Sequence, residues 1–316
     1  MPCDHWCSEA HTPVLLTEAV RVLGVKQGGV YVDCTFGRGG HAKRLLACVG
    51  EAGWVFALDK DPDAARVGKE LEERDRRFVM EKASFASLTD FARARCIFGR
   101  VDGVLFDLGV SSAQLADPKR GFGFMVDGPL DMRMDPSMGV KASDWLRAAS
   151  ESEITKVLAT YGEERYARRI TRAILGSRKE RAIETTSQLA DLIARVVPSQ
   201  ERNKHPATRA FQAIRIHVNQ EMAELKDALD QTLDVLAPGG RLAVISFHSL
   251  EDRLVKRFIR SYSRDVAPVR GFPVAPRMPP LQLLEGCKRP LRPLPEEVAR
   301  NPRSRSALLR VAEKRR

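Results

Sequence analysis

The chain is expected to be an α/β protein, a doubly wound parallel sheet with an all-helical subdomain inserted into it. Three observations carry this. Short apolar segments alternate with helical ones as far as Gly109, a glycine-rich turn follows the first segment, and about 130 residues separate the fourth segment from the fifth. Alternating strands and helices build a parallel sheet covered on both faces. A crossover between parallel strands needs little more than a dozen residues, so the long gap holds more than a crossover.

The strands are read in order as "GGVYVDC" (28–34), "GWVFALD" (53–59), "RFVMEKA" (77–83), "VDGVLFDLG" (101–109) and "GGRLAVISF" (239–247). Each is rich in Val, Leu or Phe and is bounded by Gly, Asp or a charged residue, as buried strands are. Between the first three lie "HAKRLLACV" and "DPDAARVGKELEER", where Asp61 or Pro62 suits a helix start. In the gap, "SDWLRAAS", "SESEITKVLATYG", "EERYARRITRAILGSRKE" and "TSQLADLIARVV" repeat apolar residues at helical spacing with no strand among them. The inserted subdomain is therefore placed at 112–204, and the sheet domain at 1–111 and 205–316. "HPATRAFQAIRIHVNQEMAELKDALDQTLDVLAPGG" reads as one long helix, with Pro206 in its first turn and Gly239–Gly240 as its stop. "LEDRLVKRFIRSYS" reads as a further helix, "APVRGFPVAPRMPPLQ" as a proline-broken loop and "SRSALLRVAEK" as a last strand.

Composition excludes several classes. The 316 residues suit a main domain with an insertion, and 43% hydrophobic content is that of a globular protein. No apolar run approaches the roughly 20 residues of a membrane span, and "MPCDHWCSEAH" has neither the basic nor the apolar part of a signal peptide. A cytoplasmic protein without a membrane partner is expected. Cys3, Cys7, Cys34, Cys48, Cys96 and Cys287 are scattered, as in a reducing compartment. Cys3 and Cys7 with His5 and His11 lack a second Cys-x-x-Cys partner, so no metal is expected. The net charge of +11 is concentrated: from Arg253 to Arg316 there are 17 Lys/Arg against 5 Asp/Glu. Such a basic stretch fits a polyanionic partner, nucleic acid before membrane.

The chemistry gathers at the strand ends. Ligands of open parallel sheets bind outside the carboxyl ends of the strands, and Asp33, Asp59 and Asp107 end the first, second and fourth. Gly37, Gly39 and Ala42 match the G-x-G-x-x-G/A spacing of dinucleotide sites, with Asp59 at about the expected interval. Asp33 argues against that reading, because its carboxylate would repel a pyrophosphate on the next helix N-terminus. Three carboxylates suit a ligand with a positive centre, an amino group and a ribose diol. S-adenosylmethionine carries all three. "LAPGGRLAVISF" fits as well, since a helix, a Pro-Gly-Gly turn and a late apolar strand are common in methyltransferases.

Longer motifs are more specific. "HTPVLLTEAV" (11–20), "VDCTFGRGGHA" (32–42), "ALDKDP" (57–62), "VDGVLFDLGVSSAQL" (101–115), "RGFGFMVDGPLDMRMDP" (120–136), "YGEER" (161–165), "HPATRAFQAIRIHVN" (205–219), "PGGRLAVISFHSLEDRLVKRF" (238–258) and "NPRSRSALLRVAE" (301–313) occur in this order. Together, from His11 to Glu313, they resemble the bacterial small-subunit ribosomal RNA cytosine-N4 methyltransferases, the RsmH or MraW family. The resemblance implies a Rossmann-like class I methyltransferase sheet, S-adenosylmethionine as cofactor, and 16S rRNA in the small ribosomal subunit as partner. It implies methylation of the exocyclic N4 of a decoding-centre cytosine near the P-site codon. Carried over by motif, the cofactor contacts would be Gly39, Gly40, His41, Asp59, Phe85 in "ASFASL", Asp107 and Gln114, with Asp33 beside them. Cys34 departs from the small residue expected at its position.

The cytosine amine is a poor nucleophile, since its lone pair is delocalised into the ring. "DLGVSS" after the fourth strand is placed to hold its hydrogens, and Asp107 either accepts from N4 or fixes the cofactor's amino group. Ser246 and His248, with Ser249, are second candidates for touching the base; a hydrogen-bonded structural role is the alternative for His248. Asp127, Asp131 and Asp135, with Met132 and Met134, read as an ordered loop rather than a metal site. Arg165, Arg168, Arg169 and Arg172 lie at one-turn intervals and form a phosphate-facing stripe, or else a solvated face paired with Glu163 and Glu164. A nucleotide-dependent oxidoreductase and an RNA-assembly factor without turnover are the competing readings. The oligomeric state stays open, a homodimer included.

Overall fold

The computed structural model describes residues 12–198, 205–263, 280–282 and 289–316. The Cys3, His5, Cys7, His11 and Cys287 readings lie outside the described residues, as do parts of the basic C-terminal region. The chain divides into two compact units, Met1–Gly109 with Ala223–Arg316, and Val110–Met222.

In the first unit, β1 (Val30–Asp33), β2 (Trp54–Asp59), β3 (Phe78–Lys82) and β4 (Val101–Asp107) match the four segments expected from the sequence. They alternate with α1 (Leu16–Leu23, ahead of β1), α2 (Gly40–Val49), α3 (Pro62–Arg74) and α4 (Leu88–Ala94). The α3 start is as expected: the Asp61 side chain accepts from the Asp63 N–H, and Pro62 opens the first turn. β2 pairs with β1, β1 with β4 and β2 with β3, all parallel. The strand order reverses at β1: the chain builds outward through β2 and β3 on one side, then returns to place β4 on the other. Such a switch point opens a crevice beyond the strand ends.

The single long helix expected over 205–240 is two helices followed by strand. The first (α10, Thr208–Val218) and second (α11, Glu221–Val235) are separated by Gln220 at φ +53°. A non-glycine residue in that conformation costs about 1–2 kcal/mol, so the surroundings must hold it there. They do: the buried Asn219 side chain accepts from the Met134 N–H at 2.7 Å and donates to the Met132 carbonyl at 2.7 Å. Arg215 also grips Glu221 with two hydrogen bonds of 2.8 and 2.9 Å. Apolar spacing continues across the break, which is why periodicity does not reveal it.

The Pro-Gly-Gly turn does not stop the helix either. α11 ends at Val235 and β5 (Leu236–Ser246) already includes the turn. Val101 of β4 aligns with Leu236 and Gly103 with Arg241, so the extra residues are a bulge, with Gly239 at φ +82°. β5 is parallel to β4. After α12 (Ser249–Ser263), β6 (Leu281–Gln282) and α13 (Pro295–Arg300), the expected last strand is β7 (Leu308–Lys314), antiparallel to β5. The sheet order is β3-β2-β1-β4-β5-β7-β6. Leu45, Val55, Phe78, Met80, Leu105 and Ile245 are at its buried core.

The second unit is helical. It contains α5 (Ser112–Ala116), α6 (Ala142–Ala148), α7 (Glu151–Gly162), α8 (Ala167–Glu180), α9 (Thr186–Val196) and α10. α5, α7 and α9 each start with a capping box: Ser111 with Gln114, Ser150 with Glu153, and Thr185 with Gln188. The expected boundaries, 111/112 and 204/205, move to Gly109/Val110 and Met222/Ala223. The second boundary moves because α10 buries Phe211 and Ile214 with Ile154, Leu158, Ile170 and Ile193 in the helical core. Among the described residues, no helix is long and apolar enough to cross a membrane.

Candidate active site

β1 leaves the sheet at Asp33 and runs into the glycine loop. The loop is held by its neighbours: Cys34 N–H donates to the Leu105 carbonyl at 2.9 Å and Phe36 N–H to the Leu58 carbonyl at 3.1 Å. Gly39 has φ +77°, and a Cβ there would lie 2.6 Å from the Phe36 ring. A Cβ on Gly40 would collide with the Pro13 ring. Both glycines are thus required by crowding, and Gly39 by its backbone conformation as well. Cys34 fits without disturbing the loop: it is buried, and burial pushes its thiol well above the ordinary range, so it stays protonated.

The three strand-end acids differ in how they are satisfied. Asp33 is fully buried; its Oδ1 accepts from the Thr35 N–H at 3.1 Å while Oδ2 has no hydrogen-bond partner. Burial raises its pKa to about 7, opposed by hydrogen bonds from Thr35 and helped by the nearby Asp59 charge. Asp59 accepts from Gly37 N–H at 2.8 Å and Asp61 N–H at 2.9 Å, so it ties the glycine loop to the start of α3. Burial lifts it to about 6. Each of its oxygens keeps a lone pair for a ligand hydroxyl. Asp107 is raised well above its ordinary value by burial and then by Asp33 and Glu251; its Oδ1 has no hydrogen-bond partner.

His41, in the first turn of α2, places Nε2 3.5 Å from Asp107 Oδ2. It is buried, neither ring nitrogen is hydrogen-bonded, and desolvation lowers its pKa to about 4. It is neutral at pH 7. Asp33, Asp107 and His41 thus present unpaired buried polar atoms around one loop, a costly arrangement unless a polar ligand completes it. Since burial disfavours two adjacent negative charges, a ligand bearing positive charge lowers both carboxylates together. A cofactor with a sulfonium and an ammonium group fits this donor set. A pyrophosphate does not.

Phe85 lies in a short 3-10 turn, half-buried, its ring edge-on to Phe106 at 5.6 Å between centroids. The turn is clamped by Gln231 of α11, whose Oε1 accepts from Thr89 N–H at 2.6 Å and whose Nε2 donates to the Ala86 carbonyl. Gln231 is marked by no pattern in the sequence, and Thr35 lies within the glycine-loop motif without being singled out by it. Ser246 and His248 have structural uses. Ser246 donates to the Leu308 carbonyl of β7 at 3.3 Å. His248 N–H and Phe247 N–H donate to the buried Glu251 carboxylate at 3.3 and 2.8 Å, and His248 Nε2 lies 3.0 Å from its other oxygen. These contacts close the start of α12, while the buried His248 Nε2 makes no hydrogen bond of its own.

In the helical unit, Gln114 is buried and its side chain closes the α5 capping box on Ser111 N–H at 2.7 Å. The acidic loop is satisfied by protein groups: Asp127 accepts from Ser187 N–H of α9 at 3.0 Å, Asp131 pairs with Arg133 at 2.7 and 2.8 Å, and Asp135 accepts from Ser137. Arg165, Arg168, Arg169 and Arg172 are exposed on or beside α8. Glu164, a suggested partner for them, is instead buried and accepts from Tyr166 N–H at 2.8 Å.

The family model described as the MraW methylase family matches residues 8–315. A ribosomal RNA small subunit methyltransferase H from Nitrosococcus oceani is 51% identical over 311 residues, covering 96% of this chain and 97% of that protein. Among solved structures, an rRNA methylase from Streptococcus thermophilus is 12% identical at a TM-score of 0.41, covering 95% of this chain and 94% of that one. An S-adenosylmethionine-dependent O-methyltransferase from Thermotoga maritima is 13% identical at 0.43, covering 98% and 69%.

Proposed function

The chain belongs to the MraW methylase family, a methyltransferase family, and from that premise we propose that it methylates the exocyclic N4 of a decoding-centre cytosine in 16S rRNA. The cofactor is S-adenosylmethionine, bound where β1 and β4 diverge. The observation that carries this reading is the set of buried, unpaired acceptors, Asp33 Oδ2 and Asp107 Oδ1, at the ends of β1 and β4.

When bound, the cofactor would supply an electrophilic methyl group on a sulfonium sulfur, which becomes a thioether as the N4 amine takes the methyl and gives up one proton. This chain's residues position and balance charge. Gly39, Gly40 and the start of α2 admit the methionine end, with Asp33 and His41 beneath it. Asp59 accepts from the ribose hydroxyls, and Phe85 walls the adenine. Gln114 completes the cofactor set by its match to the family motif. Asp107 accepts either from the cofactor's amino group or from the N4 hydrogens, and in the second role it draws the lone pair toward the methyl carbon. Holding both reactants in line supplies much of the acceleration. The exposed arginines Arg165, Arg168, Arg169 and Arg172 contact phosphates and set register without reading sequence. The target base turns out of its stack to reach the strand ends.

The test is incubation with labelled S-adenosylmethionine and small ribosomal subunits lacking the modification, then mass spectrometry of the digested nucleosides. N4-methylcytidine, or its 2′-O-methylated form, is expected with native protein and not with Asp107→Ala. Cofactor binding without methyl transfer to these subunits would overturn the substrate assignment. Absence of cofactor binding would overturn the site.

A further inference from the structure

We propose that Thr35 is a positioning residue, a hydroxyl relay that fixes the two acids of the cofactor crevice against each other. The inference rests on the cofactor reading given above. β1 ends two residues before Thr35, whereas β4 continues to Asp107. The last β4 amide therefore faces a place where β1 no longer offers a ladder carbonyl. The Thr35 hydroxyl fills it: Asp107 N–H donates to Oγ1 at 2.6 Å. Thr35 also donates its own N–H to Asp33 Oδ1 at 3.1 Å, and its hydroxyl acts in the same direction as that N–H, lowering the Asp33 pKa.

The polarity follows from the hydroxyl having one proton. Because Oγ1 accepts from Asp107 N–H, which has no acceptor role, the proton of Oγ1 goes to Asp33. Thr35 thus does two things with one group. It sets the height of Asp107 above the sheet, and it favours the ionised form of Asp33. Valine has nearly the same shape and does neither, leaving a part-buried amide without an acceptor. Serine does both.

Asp33 is faced by Asp59 from β2, and shares its surroundings with Asp107 on β4, Cys34 beside it, His41 on α2 and Glu251 at the start of α12. Asp59, Asp107 and Glu251 are acidic, while Cys34 stays protonated and His41 is neutral at pH 7. A cationic ligand therefore binds best when Asp33 is ionised, so affinity falls as pH drops through its titration. Loss of the Thr35 hydroxyl moves that titration upward.

The experiment is calorimetric titration of native, Thr35→Val and Thr35→Ser proteins with S-adenosylmethionine from pH 6 to pH 9. Thermal unfolding of each verifies folding. Thr35→Val is expected to weaken binding about tenfold to a hundredfold at pH 7, the scale of a lost hydrogen bond to a charged group. The deficit should shrink toward pH 9, and Thr35→Ser should restore affinity to within about threefold. A folded Thr35→Val protein with native affinity and pH profile overturns the inference. So does a loss that is equal at every pH, or one that serine does not repair. If native protein does not bind the cofactor at all, the reading of the crevice itself fails, a result distinct from the others.

Discussion

The two units of this protein handle charge in opposite ways. In the sheet unit, Asp33, Asp59 and Asp107 are brought together by strand ends and pushed toward neutrality by burial. In the helical unit, Arg165, Arg168, Arg169 and Arg172 stand in water on or beside α8, while the acidic Glu164 is turned inward. Buried charge is expensive without a partner and therefore selective for one ligand. Exposed charge is cheap, long-ranged and tolerant of the shape of what it meets. On the function proposed above, a small cationic cofactor and a large polyanion would call for these two solutions.

The sharpest way to break this comparison is to remove one acid. Asp107→Ala is expected to lower methyl transfer by about a hundredfold or more, the scale of a lost hydrogen bond at a buried reacting centre. Single-turnover rates with saturating subunits measure it. A loss below threefold would mean that the crevice does not depend on Asp107.

Removal of the Asp33 charge sharpens the comparison through stability. Its folded pKa of about 7 exceeds an unfolded value near 3.8, so between these pH values the native state binds more protons than the unfolded state. Stability of the cofactor-free protein therefore decreases as pH rises through this window, by a few kcal/mol in order of magnitude at about 1.4 kcal/mol per unit. Asp33→Asn should flatten that decline, as read from Tm between pH 4 and pH 8. Bound S-adenosylmethionine should raise native Tm most at the upper end. An unchanged Tm profile in Asp33→Asn would show that Asp33 titrates normally.

Much of the crevice was legible in the sequence because strand-end acids and glycines sit at positions set by local pattern. "VYVDC", "VFALD" and "VLFDL" each mark where a strand stops, and the sheet then brings their acids into one place. What supports the crevice was not legible. Thr35 acts through a hydroxyl that substitutes for a missing ladder carbonyl, and Gln231 reaches a segment more than 140 residues earlier in the chain. The α10/α11 break escaped for the same reason: Asn219 acts by bonding the backbone of Met132 and Met134, contacts that leave no mark on apolar spacing. Ser246 and His248, expected as second candidates for the base from their position after β5, also bond Leu308 and Glu251, contacts that the sequence did not show.

Reversal of the arginine face tests the other side of the comparison. Arg165, Arg168, Arg169 and Arg172 changed to Glu should raise KM for the ribosomal substrate by about tenfold or more at 0.1 M salt while leaving cofactor affinity unchanged. The dependence of log affinity on log salt should become less steep by about 0.7–0.9 for each phosphate that the protein no longer neutralises. An unchanged salt slope would make this face a solvated surface.

The smallest effect should come from Gln231, which touches neither ligand. Gln231→Ala leaves Thr89 N–H without its acceptor and the Ala86 carbonyl without its donor. The turn bearing Phe85 then keeps its local hydrogen bonds to Ser84 and its ring contact with Phe106 but loses its tie to α11. Unpaired backbone groups in a half-buried turn cost about 1–3 kcal/mol, but water reaches this turn and takes up part of the loss. The expected result is a threefold to tenfold rise in KM for S-adenosylmethionine with kcat held within about twofold. Gln231→Glu keeps the acceptor for Thr89 and loses the donor to Ala86, so it should fall between native protein and alanine. If alanine lowers kcat instead of raising KM, the clamp serves the reacting methyl group rather than the adenine wall, and Phe85 loses its role in binding.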